Sequence, residues 1–232
     1  MFEAGYKEFM DSSAKEQLGF HWDVVPKSTK KALDFLSTQK WLSHFGWYLA
    51  GGTALALQTS HRTSVDLDFF TSGAIFESTE VTGHFKENKN WEISSDRPST
   101  IYGKLFQAKV SFIAYPFFVP KQDFLQYGFV RILQPIDIAV MKVIAVSQRG
   151  RKRDFFDLYW CAHNIEPLEQ IIARLRQQYP SVAHDHHHII KSLAYFEDAE
   201  SDPPLVLHFD ASWDQVKQFF TEEIEKIAFK YV

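Results

Sequence analysis

Apolar positions change their spacing twice along the chain. After Pro26, a helix-start signal, Leu33, Phe35, Leu36, Trp41 and Leu42 recur at helical intervals, so the first forty-odd residues read as helical. Short apolar runs follow. Trp47–Ala50 and Ser64–Phe70 read as strands flanking a short helix from Thr53 to Gln58, and 75–87 reads as helical. Trp91–Ser94, Thr100–Phe106, Ala108–Tyr115 and Phe129–Leu133 are rich in aromatic and β-branched residues and predict further strands. From Pro135 the spacing turns helical again, over 136–147, 155–163, 168–178, 188–196 and 213–229. The pattern predicts an α/β lobe over 1–134 and a helical lobe over 135–232, with a cleft between them.

The first chemical signal lies at the earliest strand–helix junction, Leu49-Ala50-Gly51-Gly52-Thr53-Ala54. Two glycines and a hydroxyl residue make a turn whose backbone N–H groups can face a phosphate, at the positive end of the following helix. Asp66 and Asp68 then alternate with Val65, Leu67 and Phe69, so in a strand both carboxylates share a face. Two acids in so apolar a run lose solvation unless something pairs with them. A phosphate cradle beside two such carboxylates suits Mg²⁺-dependent chemistry on a nucleoside triphosphate.

A second constellation follows the lobe boundary. Asp137 and Lys142 lie on one predicted helix, with Asp137 suited to a helix start. The run Arg149-Gly150-Arg151-Lys152-Arg153 leads into Asp154-Phe155-Phe156-Asp157, whose acids are neighbours on a helical face. Cations in a first turn oppose the helix dipole, so an anion or a pairing with Asp66 and Asp68 is expected to hold them.

Composition narrows the classes. A net charge of −4 excludes a globally basic nucleic-acid binder, and 22 phenylalanines argue for a folded core. Cys161, the only cysteine, permits no internal disulfide and suits a cytoplasmic protein; it is expected to be buried and inert. Met1–Gly5 lacks a signal-peptide pattern, and the longest apolar stretch, near Phe112–Val119, is too short to span a membrane. The histidines of 184–188 read as a solvated helix start, and the aromatic residues of Tyr115-Pro116-Phe117-Phe118 as core or lobe-contact residues.

Taken in order, these motifs resemble the AbiEii/AbiGii toxin family of nucleotidyltransferases, within the DNA polymerase β-like superfamily. The matching pieces are Gly51-Gly52-Thr53 with Asp66-Leu67-Asp68, then Asp137…Lys142, then Arg151-Lys152-Arg153-Asp154…Asp157-Leu158. The resemblance implies an α+β fold, a polymerase β-like lobe with a mixed sheet followed by a helical lobe. It implies transfer of a nucleoside monophosphate from an NTP, with Mg²⁺ or Mn²⁺ on Asp66 and Asp68. Gly51, Gly52, Thr53, Arg62 and Lys142 would serve the triphosphate, and Asp154 the acceptor hydroxyl. It further implies a toxin with a cognate antitoxin, and tRNA as a candidate acceptor. Two positions depart from the pattern. Arg153 replaces a lysine, and the strand expected to carry a third carboxylate offers Ser111. A degenerate nucleotide-binding module is therefore an open alternative, as is a DxD glycosyltransferase, against which the glycine turn argues.

Overall fold

A computed structural model describes residues 19–231. The helical reading of the first forty-odd residues falls partly outside them. The chain divides into two compact units. The first holds the described residues up to Thr59, Ser64–Pro116 and Asp123–Leu133; the second holds Ser60–Thr63, Phe117–Gln122 and the chain from Gln134.

The first unit is built on a seven-stranded mixed sheet of β1 (Tyr48–Ala50), β2 (Leu67–Thr71), β3 (Trp91–Arg97), β4 (Thr100–Leu105), β5 (Ala108–Ala114), β6 (Leu125–Tyr127) and β7 (Val130–Ile132). Its strand order is β3-β4-β5-β2-β1-β7-β6, with β2 antiparallel to β1 and parallel to β5. Period-two patterning gives the sheet two unlike faces. Leu49, Phe69, Ile101, Phe112 and Ile132 are fully buried on one, where Phe112 lies 5.7 Å from the Trp41 ring. Asp68, Phe70 and Arg131 alternate with them on the other and are half-buried. The fold is α+β.

Some boundaries differ from the sequence reading. The helix expected from Thr53 begins at Gly51, and β2 begins at Leu67, leaving Asp66 just before it. The 75–87 helix shrinks to Ser78–Thr82 and a 3₁₀ turn over Gly83–Phe85, as the glycine there supplies no helix propensity. The short edge strand β6 carries too few residues to show a period.

The second unit is helical. Pro135–Arg149 ends at Gly150, whose left-handed φ of 49° lets its N–H return to Val146, and Lys152–Asn164 follows. Further helices cover Leu168–Ala173, Leu175–Gln178, His186–Leu193, Glu197–Glu200 and Trp213–Tyr231. Phe155 anchors their core, with its ring 5.3 to 5.7 Å from those of Phe196, Trp213 and Phe220. The histidine run proves to be a helix start: Asp185 caps it by accepting a hydrogen bond from the His188 N–H. Among the described residues no helix is long and apolar enough to cross a membrane.

Candidate functional site

The candidate site is assembled in two places, each within one unit. In the first, β1 and β2 pair antiparallel with Ala50 opposite Asp68, so the chain leaving β1 enters Gly51 beside that carboxylate. Gly51 has φ +72°, and a Cβ there would lie 2.9 Å from Asp68 Oδ2. Both facts require glycine: one for the left-handed backbone, the other for the close approach. The buried Thr53 hydroxyl donates to the Asp66 carbonyl, tying the helix start to the segment that carries both aspartates. Its side chain therefore supports the turn, while the half-buried Gly51 and Gly52 present backbone.

Ser111 occupies the register position directly across from Asp68 on β5 and donates its hydroxyl to Asp68 Oδ1 at 2.6 Å. Where a third acid would add charge, this buried serine orients an existing one. The set is all oxygen, half-buried, and flanked by a glycine that leaves room at the carboxylate. It fits Mg²⁺ or Mn²⁺, which commonly take one or two carboxylates and leave other positions to water and phosphate. Among the described residues no group of three or more His, Cys, Asp or Glu side chains is placed to hold a metal.

The second cluster is a buried charge network. Lys142 Nζ lies 2.7 Å from Asp154 Oδ1 and 2.6 Å from Asp157 Oδ2. Arg62 sets its guanidinium fork on Asp157, Nε at 2.6 Å and Nη2 at 2.9 Å, and His61 Nε2 reaches the same carboxylate at 2.8 Å. Arg149 closes the other side with Nε 2.8 Å from Asp154 Oδ2. His61, Arg62, Lys142, Asp154 and Asp157 are all buried, while Arg149 is half-exposed. Burial pushes the Asp157 carboxyl up, but the charges of Arg62 and Lys142 and the His61 hydrogen bond outweigh it and hold it well below the usual range. Asp154 follows the same logic through Lys142 and Arg149. Burial lowers His61, leaving the imidazole neutral near pH 7, and raises the Cys161 thiol.

The structure thus brings Gly51, Gly52, Thr53, Asp66 and Asp68 together in one unit, and Arg62, Lys142 and Asp154 together in the other. Arg62, expected at a triphosphate, is engaged by Asp157. Asp154, expected at an acceptor hydroxyl, has no solvent exposure and is held by two cations. Arg151 and Lys152 at the helix start need neither an anion nor Asp66 and Asp68 to account for them. Arg151 pairs with Asp202 at 2.6 Å, the Lys152 N–H donates to the same carboxylate, and Lys152 Nζ donates to the Glu200 and Asp202 carbonyls. Asp137 is structural: it accepts the Lys121 and Gln122 N–H groups and the Gln178 amide. The residue that sequence reasoning undervalued is Asp157. It sits between Phe156 and Leu158, in as apolar a setting as Asp66 and Asp68, and the same desolvation argument would have singled it out.

The chain is similar to several known proteins. An uncharacterized protein of Aquifex aeolicus (strain VF5) is 31% identical over 187 residues, which are 78% of this chain and 87% of that protein. The nucleotidyltransferase toxin MenT4 of Mycobacterium tuberculosis is similar in fold, with a TM-score of 0.55 at 16% identity over 88% of this chain and 86% of its own. The model of the family described as "Nucleotidyl transferase AbiEii toxin, Type IV TA system" matches residues 33–100 and 107–231. That match covers most of the chain, which belongs to the AbiEii nucleotidyltransferase toxin family.

Proposed function

We propose that this chain transfers a nucleoside monophosphate from an NTP to an acceptor hydroxyl, with a divalent metal. The observation that carries the reading is Gly51, left-handed and leaving no room for a Cβ, against the carboxylate of Asp68. Asp66 and Asp68 would hold Mg²⁺ or Mn²⁺, which supplies charge to the triphosphate and to the departing pyrophosphate. The Gly51-Gly52 backbone at the start of the Gly51–Thr59 helix offers N–H groups to phosphate oxygens. Ser111 fixes the rotamer of Asp68 through its hydrogen bond. Lys142, buried between Asp154 and Asp157, belongs to the charge network of the second unit. Asp154 is read as a positioning residue that orients Lys142 in place of a base at the acceptor, because both its oxygens are taken up by Lys142 and Arg149. Arg62 and His61 act one step further back, through Asp157. By family, the acceptor is proposed to be tRNA, the partner a cognate antitoxin, and the compartment the cytoplasm.

The test is incubation of the full chain with each labelled NTP, Mg²⁺ and total tRNA, with Asp68→Asn alongside. Label transferred by the parent and lost in the variant is the expected result. No transfer from any NTP would favour the non-catalytic nucleotide-binding module, a reading that one observation supports: the serine, not an acid, across from Asp68.

A further inference from the structure

The open face of the sheet continues past the carboxylates. On β2 the alternation that buries Leu67, Phe69 and Thr71 leaves Asp68 and Phe70 half-buried on the opposite side. Phe70 stands two residues beyond Asp68, about 7 Å along the strand. Its register partners are Tyr48 on β1 and Ile113 on β5, with Arg131 next across from Tyr48. Two rings pack against it: Tyr48 at 6.2 Å, tilted 30°, and Tyr115 edge-on at 5.8 Å. Tyr48 packs in turn against Phe124, over which the Arg131 guanidinium sits at 4.7 Å. An aromatic side chain is thus braced by its neighbours yet incompletely covered, on the face of the sheet that carries Asp68.

We propose that Phe70 is the platform on which the base of the bound nucleotide stacks. The proposal rests on the nucleotidyltransferase reading, which puts the triphosphate at Gly51, Asp66 and Asp68. A ribose separates base from α-phosphate, a span comparable to the two-residue step from Asp68 to Phe70. Every base has a π-face, so a phenyl ring gives affinity with little discrimination among the four bases. Phe70 is therefore a residue for binding nucleotides as against bare polyphosphates, and not a selector of one NTP.

The test compares binding of Mg²⁺–NTP and Mg²⁺–tripolyphosphate by calorimetry in the parent, Phe70→Leu and Phe70→Tyr. Leucine keeps apolar volume without a ring, and tyrosine keeps the ring. The expected result is a loss of roughly tenfold in NTP affinity in Phe70→Leu, typical of removing a stacking platform. Phe70→Tyr should stay near the parent, and tripolyphosphate affinity should be unchanged in both. Unchanged NTP affinity in Phe70→Leu, or equal losses for the two ligands, overturns the platform while leaving the carboxylate site standing. A parent that binds neither ligand overturns the nucleotidyltransferase reading, and the platform with it. Should Phe70→Leu fail to fold, the Phe70 ring-proton resonances of the parent decide. They should move on adding Mg²⁺–NTP and stay put with Mg²⁺–tripolyphosphate; equal behaviour with both ligands rejects the platform.

Discussion

Two sets of aspartates, built from the same side chain and both embedded in apolar sequence, have opposite surroundings. Asp66 and Asp68 are half-buried, and Asp68 takes its hydrogen bond from Ser111, a neutral hydroxyl. Asp154 and Asp157 have no exposure, and Arg62, Lys142 and Arg149 bear on them. A half-buried carboxylate oriented by a hydroxyl lies where a cation can reach it from solvent. A carboxylate held by buried cations has that charge already matched, and what it provides is order. The local environment separates binding from positioning more sharply than residue identity does.

The same substitution at the two places is the strongest way to break this contrast. Asp157→Asn leaves Arg62 and Lys142 buried beside a neutral amide and should destabilise the protein by about 3–5 kcal/mol, the usual cost of breaking a buried pair. Asp68→Asn keeps an acceptor for Ser111 and should cost about 1 kcal/mol or less, while Mg²⁺–NTP affinity falls roughly 10- to 100-fold. Denaturant unfolding and calorimetry on both variants check this, and equal destabilisation would erase the distinction. Next in size, Gly51→Ala should cost about 1–2 kcal/mol for the left-handed backbone. The added methyl also presses on Asp68, so this variant should weaken Mg²⁺–NTP binding together with the melting temperature.

Acid should act on the buried network in two stages. His61 is kept neutral by burial, so the unfolded chain binds a proton below about pH 6.5 that the folded chain does not, and stability begins to fall there. Asp154 and Asp157 have depressed folded values, so their contribution is complete above about pH 4 and is lost as pH drops through and below it. Denaturation midpoints between pH 8 and 3 should show both stages, and His61→Phe should flatten the upper one and shrink the lower, since the imidazole hydrogen bond helps to depress Asp157. The smallest effect is expected from Ser111→Ala. It removes one hydrogen bond of about 1 kcal/mol to Asp68 and should loosen Mg²⁺–NTP binding a few-fold. A loss as large as that of Asp68→Asn would make the serine a ligand in its own right.

How much of this was legible in the sequence depends on distance along the chain. The glycine turn and the Asp66–Asp68 pair lie within about twenty residues, and their relation follows from strand and helix periods alone. The strands around them were found for the same reason, apart from the short β6. The partners of the basic run were not legible, because Asp202 lies about fifty residues beyond Arg151 and no local period links them. Arg62, expected at a triphosphate, instead meets a carboxylate 95 positions away. Charges were readable from sequence; which of them neutralise each other was not.

The four residues Ser60–Thr63 carry a consequence for how this protein can be taken apart. They leave the end of the Gly51–Thr59 helix and belong to the second unit, where the Thr63 N–H donates to the Val206 carbonyl and Arg62 bridges to Leu207. The segment Phe117–Gln122 likewise supplies the N–H groups that satisfy Asp137. A fragment cut at Gln134 would therefore carry all seven helices of the second unit yet miss the guanidinium and imidazole that satisfy Asp157. It would also leave Asp137 short of two donors. The helical half is continuous as a list of helices and discontinuous as an electrostatic object, so dissection at the evident boundary yields two incomplete pieces.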